Sequence, residues 1–180
     1  MNITELAKNI TNWLDNGGIS TMLIIMGIVL ILWSFCRWIL QKMKLTPKDA
    51  DRTMEQVDAM TGAQFEQFVA AVLEGNGYEI RQFTNTTGDY GADIIAYRNE
   101  ELFAIQCKRY AKPVGVKAVQ EAIGAMKHYQ CDRCLVVTNN RFTKQAMILA
   151  NDNEVVGLWD RQFLTYMRDR AEKVRKNEKN

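Results

Sequence analysis

The chain of 180 residues has little of several residue types that define whole classes of protein. It contains one histidine, two prolines and four cysteines, and the cysteines follow no regular framework. A secreted disulfide scaffold is therefore not indicated. The net charge of +2 by itself says little about partners, because what matters is how the charge is distributed along the chain.

Charge is absent from one long stretch, residues 16–36, which is almost continuously aliphatic in its middle. A helix of about 20 apolar residues is as long as a bilayer is thick. Trp33 and Trp38 lie where an aromatic belt is expected, and basic residues follow the stretch. We therefore predict a transmembrane helix over 17–40. A cleaved signal peptide is disfavoured, because the stretch has no early basic segment and no small-residue cleavage site.

This helix predicts how the chain is located and divided. The positive-inside rule places a short N-terminus, residues 1–16, outside, and the rest in the cytoplasm. The prediction is a single-pass protein of the bacterial inner membrane, with membrane lipid as one partner. Charged residues 41–59 form a juxtamembrane linker that runs into a helical lead-in. The globular domain covers 60–165, and 166–180 is a helix end with a basic tail.

The domain shows alternating helix and strand signals. Thr61 and Gln64 have the spacing of a capping box, and apolar residues recur at helical spacing after them. The elements that follow give the order αβββαβ, then further helix and strand segments. The fold class is therefore α/β, with a mixed central sheet flanked by helices.

Residues 88–110 carry the clearest chemistry. Two apolar runs, 92–97 and 102–107, are separated by a short polar turn and indicate a β-hairpin. A turn centred on Asn99 and Glu100 places Asp93 opposite Gln106. Lys108 shares that face, because strand side chains alternate. An acid, an amide and an ammonium group are thus predicted to meet at one end of the hairpin.

Such a group of side chains suits a divalent metal. Mg²⁺ prefers oxygen ligands, and Asp93, Gln106 and the backbone carbonyl of Cys107 supply three. Lys108 is placed to orient or deprotonate a water, or to stabilise charge on a phosphate. Glu66 adds an acid if the first helix packs beside the hairpin. The alternative is a simple Asp–Lys salt bridge across the strands, with Gln106 as a neutral neighbour.

These residues also carry a family resemblance. The segments TGAQFEQFVAAVLEGNGYEI, TGDYGADIIAY, AIQCKRY and VKAVQEAIGAMKHY occur in that order, followed by CLVVTNNRFTKQAMILA. From about Met60 to Leu164 the chain resembles the Mrr-type restriction endonuclease catalytic domain of the PD-(D/E)xK nucleases, in which Gln commonly replaces the second acid. The resemblance implies a restriction-endonuclease-like core and hydrolysis of DNA with Mg²⁺ or Mn²⁺. It also implies Asp93, Gln106 and Lys108 as the active site, with Glu66 as the helix-borne acid.

The charge distribution independently indicates double-stranded DNA as a partner. Residues 108–144 hold eight basic residues and two acidic ones. Basic clusters supply most of the non-specific affinity for DNA. Gln120 is equally well explained as an exposed helix residue. The DNA-binding candidates are Arg109, Lys112, Lys117, Gln120, Arg141 and Lys144.

Cys131 and Cys134 have metal-like spacing close to His128, but too few further ligands are present to complete a zinc site. The predicted function is therefore a membrane-anchored, metal-dependent DNA endonuclease that restricts foreign or modified DNA. The alternatives are a DNA-binding membrane tether with weak or no catalysis, and a nuclease for DNA repair or transfer. The sequence leaves a homodimer open.

Overall fold

The computed structural model describes residues 2, 4–6, 8, 12, 19–43, 52–84 and 90–177. The chain divides into two compact units, Met1–Lys44 and Leu45–Asn180.

The first unit contains one long helix, α1, at Ile19–Met43. Within it, the large apolar side chains between Met22 and Phe35 are all more than half exposed. Among the described residues, however, no helix is both long enough and apolar enough to cross a membrane. The transmembrane helix predicted over 17–40 is therefore not supported. Most of the N-terminal segment 1–16 lies outside the described residues.

The second unit begins before Met60. Helix α2 at Met54–Asp58 has a capping box between Thr53 and Gln56, and it buries Met54 and Val57 in the core. The latter part of the predicted linker 41–59 thus belongs to the folded domain, as its helical lead-in suggested. Residues 44–51 of that linker lie outside the described part of the chain.

A five-stranded mixed sheet forms the centre of the domain, in the order β1-β2-β3-β4-β5. The first three strands pair antiparallel, and β3, β4 and β5 run parallel. Parallel strands need crossover helices, which cover the faces of the sheet. The strands are β1 Glu79–Phe83, β2 Ile94–Arg98, β3 Glu101–Lys108, β4 Arg133–Thr138 and β5 Val156–Trp159. The helices after α2 are α3 Gly62–Glu74, α4 Val116–His128, α5 Lys144–Asn151 and α6 Arg161–Asn177. The predicted αβββαβ order is confirmed.

The helices cover both faces of the sheet. Helices α2, α3 and α6 pack on one face, and α4 and α5 pack on the other. The Thr61–Gln64 capping box at the start of α3 is present. Because β3, β4 and β5 are parallel, their carboxyl ends meet at one edge of the sheet, which we call the carboxyl edge.

The β2–β3 hairpin has the predicted register. Ile94 pairs with Ile105, and Arg98 pairs with Glu101, across a two-residue turn. Asn99 and Glu100 both have positive φ, 50° and 67°, as a type I′ turn requires. This turn matches the twist of the strands and fixes which side chains face each other. The start of β2 therefore lies beside the end of β3, at the carboxyl edge.

Candidate active site

Asp93 and Gln106 meet at this edge, as the register predicts. Asp93 Oδ2 accepts a hydrogen bond from Gln106 Nε2 at 2.6 Å and one from the Cys107 backbone N–H at 2.6 Å. Asp93 is itself held in the ladder, because its N–H donates to the Ile105 carbonyl and its carbonyl accepts from Thr84 N–H. Asp93 and Gln106 are 8% and 3% exposed. Burying a carboxylate this deeply is costly unless it is bonded, and both of these donors bond it.

The oxygen of the Gln106 amide differs from its nitrogen. Gln106 Oε1 is buried and accepts no hydrogen bond from the described residues. An orphaned buried oxygen beside a carboxylate is a position where a cation replaces the missing donor. The Cys107 carbonyl lies on the same side of β3 as its N–H, since the two groups of a strand residue point to the same neighbour. The chemistry of these oxygens fits a hard divalent cation.

No cluster of three or more His, Cys, Asp or Glu residues able to hold a metal occurs in the described ranges. The candidate donor set is consistent with this finding, because only Asp93 contributes a carboxylate. The other two donors are an amide oxygen and a backbone carbonyl. A site with so little negative charge depends on other groups to hold a metal firmly.

Lys108 lies on the face of β3 that packs against α4, and its partner comes from that helix. Lys108 Nζ lies 3.1 Å from Glu121 Oε2, and Lys117 Nζ lies 3.7 Å from Glu121 Oε1. Burial lowers the pKa of Lys108, but the hydrogen bond and charge of Glu121 offset this effect and leave the pKa raised. Lys108 is therefore a cation at neutral pH. This state suits the stabilisation of phosphate charge and opposes a role as the base that deprotonates water. The simple Asp–Lys salt bridge is not the pairing observed.

In the sequence, Glu121 stands out only as a negative charge among basic residues. Its position one turn into the crossover helix after β3 was the available signal, because such a helix packs back over its strand. The loop before Asp93 also reaches Glu121. Gly91 has φ of +88°, and a Cβ placed there would lie 2.6 Å from the Glu121 carbonyl oxygen. Only glycine fits this close approach.

Glu66 lies on α3, on the opposite face of the sheet from Lys108, and is half-buried. Burial raises the pKa of the Cys107 thiol well above its usual value, and the charges of Asp93 and Glu66 raise it further. Glu66 and Asp93 thus act electrostatically on the same strand position. Cys107 stays a thiol, and only its backbone groups are candidates for the site.

Five of the DNA-binding candidates are exposed and lie in loops or helical turns near the carboxyl edge: Lys112, Lys117, Gln120, Arg141 and Lys144. The bridge between Val114 and Phe142 joins the loops that follow β3 and β4. Arg109 differs from these five, because its Nη1 donates to the Asp58 carbonyl at 3.0 Å. The basic segment 108–144 is not one patch, because Arg133 lies at the amino end of β4, away from the carboxyl edge. It pairs there with Glu101 at 3.8 Å.

Cys131 and Cys134 are free thiols. Burial raises the pKa of both, that of Cys134 to about 11. Metal ligation by cysteine needs the thiolate, so both residues behave as buried apolar groups in the α4 face.

The mixed sheet, the crossover helix and this edge cluster define an α/β domain of the restriction-endonuclease-like class. The model of the Mrr_cat family, described as restriction endonuclease, matches residues 57–167, which is more than half of the chain. The chain therefore belongs to this restriction endonuclease family. The search of curated proteins gives no match.

Three solved structures are similar to the chain. The DNA modification-dependent restriction endonuclease AspBHI has 22% identity and a TM-score of 0.54, over 76% of this chain and 40% of AspBHI. The protein of unknown function AF1548 has 25% identity and a TM-score of 0.43, over 53% of this chain and 56% of its own. MspJI restriction endonuclease, in complex with a 27-mer oligonucleotide, has 18% identity and a TM-score of 0.43, over 58% and 26%. The chain thus spans about half the length, or less, of these proteins, and the likeness to AspBHI shows the fold alone.

Proposed function

We propose that the chain is a divalent-metal-dependent endonuclease that hydrolyses phosphodiester bonds of double-stranded DNA. We propose further that it acts in the restriction of foreign or modified DNA. The observation that supports this most is the buried Asp93–Gln106 pair at the carboxyl edge of a domain from a restriction endonuclease family, with Lys108 two residues after Gln106 at the end of the same strand. Fold alone does not imply function, so the proposal depends on this site.

The residues of the chain have separate parts in the proposed reaction. Asp93, Gln106 Oε1 and the Cys107 carbonyl would hold Mg²⁺ or Mn²⁺, which would supply Lewis acidity and lower the pKa of a bound water. Lys108 stabilises the negative charge that develops on the phosphate, and Glu121 keeps the pKa of this ammonium group raised. The Gln106 and Cys107 N–H groups orient the Asp93 carboxylate.

Plasmid cleavage tests the proposal. The full chain is incubated with supercoiled and linear DNA in the presence of Mg²⁺, Mn²⁺ or EDTA. We expect cutting only with metal, and a fall of about 10²–10³-fold in Asp93→Asn and Lys108→Ala. Asparagine keeps an oxygen for the two donors that bond Asp93, so this variant should stay folded. Lys127→Ala, at an exposed lysine of α4, is the matched control and should cut normally. If both site variants cut as fast as the wild type, the site is wrongly assigned.

Gln106 also supports a second candidate function, a DNA-binding tether that does not cut. An amide in place of an acid leaves less negative charge to hold a metal. In that case the wild type would retard duplex DNA in a gel, but it would not cut the DNA with any metal at any pH. An experiment in cells separates restriction from repair or transfer. Transformation by modified and by unmodified plasmids is compared between cells that carry the wild type and cells that carry Asp93→Asn.

From the sequence alone we also propose a location at the bacterial inner membrane, with the N-terminus outside and the nuclease domain in the cytoplasm. The proposal rests on the uncharged residues 16–36 and the basic residues after them. Cell fractionation tests it, because Leu30→Arg should move the chain out of the membrane pellet. A pellet that contains neither form would refute the location. A homodimer stays a prediction, which light scattering of the full chain would check.

A further inference from the structure

A polar pocket lies at the same carboxyl edge as the candidate active site, where α2 ends and α6 begins, on the opposite face of the sheet from Lys108. Its volume is about 370 Å³, and apart from Asp58 of α2 the residues that line it follow β3, β4 and β5. In open α/β sheets, ligands bind in the crevice outside the carboxyl ends of parallel strands. The main lining residues are Asp58, Arg109, Tyr110, Asn139, Asn140 and Arg161.

Two guanidinium groups face this pocket, and each has N–H groups that donate to none of the described residues. Every hydrogen bond of the Arg161 guanidinium to a described residue uses Nη1, which donates to Asp58 Oδ1 at 2.8 Å and to the Asn139 carbonyl at 3.1 Å. Arg109 Nε is buried and has no partner among the described residues. Against the two arginines the lining offers one carboxylate, Asp58, so the pocket has a net positive charge. A buried unpartnered N–H is costly, and an anion would satisfy it.

The walls of the pocket are held rigidly by hydrogen bonds. Asn139 Oδ1 accepts from the Tyr110 N–H at 2.9 Å, and Asn139 Nδ2 donates to Asp58 Oδ1 at 2.8 Å. Asn140 Nδ2 donates to the Tyr110 carbonyl at 3.1 Å. These bonds connect three segments that are distant in sequence. They place the two arginines before any ligand arrives, which reduces the entropic cost of binding.

We propose that this pocket holds a backbone phosphate of the bound DNA strand, a few nucleotides from the phosphate that is cut. The guanidinium fork matches phosphate oxygens and suits a bidentate contact. Lys108 and Arg109 are consecutive, and β3 and β5 are two strand spacings apart, about 10 Å. Since phosphates of one strand follow every 3.4 Å or so of helix rise, the pocket lies within about three nucleotides of the active site. The inference rests on the proposed DNA cleavage and adds a second anchoring point.

DNA binding by the full chain tests the pocket. Binding of a fluorescently labelled duplex oligonucleotide is measured in EDTA, so that no cutting occurs, over a series of salt concentrations. For Arg161→Gln and Arg109→Gln we expect affinity to fall about tenfold, and the slope of log K against log salt to fall by about one. Arg133→Gln is the matched control, because it removes the same charge at the opposite edge of the sheet. It should leave the slope close to that of the wild type.

Asp58→Asn separates phosphate binding from a structural role of Arg161. Both Asp58→Asn and Arg161→Gln remove the ion pair of 2.8 Å, so both should lower the melting temperature. If Arg161 binds phosphate, Asp58→Asn frees its charge, and DNA affinity stays at or above the wild-type value. If both variants lose affinity together, Arg161 only supports the fold and the inference is wrong.

The outcome also separates this inference from the proposed function. If the wild type binds DNA and Arg161→Gln binds with the same affinity and salt slope, only the pocket is wrongly assigned. If the wild type binds no duplex DNA at any salt concentration, the proposed function and the pocket fail together.

Discussion

Gln106→Glu places a second carboxylate against Asp93, at a residue that is only 3% exposed. The Nε2 group that it removes lies 2.6 Å from Asp93 Oδ2. Two negative charges about 3 Å apart repel by about 5 kcal/mol at an effective dielectric constant of about 20. Protonating the new carboxyl at about pH 7 costs less, about 3–4 kcal/mol, because its ordinary pKa is about 4.3. The folded protein therefore protonates the new carboxyl instead of keeping two charges, and the free energy of unfolding should fall by about 3–4 kcal/mol at neutral pH.

This loss has a definite dependence on pH and on metal. The pKa of the new carboxyl is raised in the folded state, which therefore binds more protons than the unfolded state. Stability should then fall as pH rises from about 4.3 through neutral. It should level off only above the raised pKa of the folded state, where the loss reaches the full repulsion of about 5 kcal/mol. A divalent cation between the two carboxylates relieves the repulsion. Mg²⁺ at a hundredfold excess over its Kd adds about 2.7 kcal/mol. The wild-type site, with one carboxylate, should gain less.

Thermal unfolding followed by circular dichroism measures these effects in EDTA, Mg²⁺ and Ca²⁺. A loss of about 3–4 kcal/mol corresponds to about 10–15 °C in a domain of this size. Gln145→Glu, at an exposed residue of α5, is the matched control for the added charge. If Gln106→Glu unfolds at the wild-type temperature in EDTA at neutral pH, the two side chains do not face each other. If Mg²⁺ stabilises it no more than the control, the metal is not held at this site.

Three further changes test the surroundings of the site. Glu121→Gln should lower the pKa of Lys108. It should also lower the free energy of unfolding by about 1–2 kcal/mol, because the ion pair is half-buried. Because the pKa of Lys108 is raised, the contribution of this ion pair to stability should be constant around neutral pH and be lost as the pH rises above 10.5. Unfolding of the wild type and of Glu121→Gln at several pH values measures it. Gly91→Ala should cost about 2 kcal/mol or more, and it should reduce plasmid cutting, because the new Cβ meets the Glu121 backbone. Glu100→Gly should raise the free energy of unfolding by about 0.5–1 kcal/mol, since Glu100 has φ of 67°. An unchanged denaturation midpoint would argue against the Asn99–Glu100 turn.

The β2–β3 hairpin was predictable because its determinants are local. A two-residue turn at Asn99 and Glu100 and the period of a strand are enough to place Asp93 against Gln106. The capping box at Thr61 and Gln64 likewise depends on residues three apart. The sequence also indicated the order αβββαβ, since each element carries its own period and its own end signals.

The uncharged residues 16–36 show the limit of such local signals. They satisfy the length and composition of a membrane span, yet the described residues contain no helix that meets both requirements. The composition of a segment indicates which environments it tolerates, a bilayer among them. It does not determine which of these environments the segment occupies.

The amino-acid sequence alone determined the hairpin, its register and the contact of Asp93 with Gln106 at its end. Only the tertiary structure decided that Lys108 pairs with Glu121 and that Arg109 and Arg161 share a pocket. These contacts join segments 13 to about 50 residues apart, brought together by the crossover helix and by the parallel order of β3, β4 and β5. No period or spacing in the chain encodes such contacts, because they depend on which strands become neighbours.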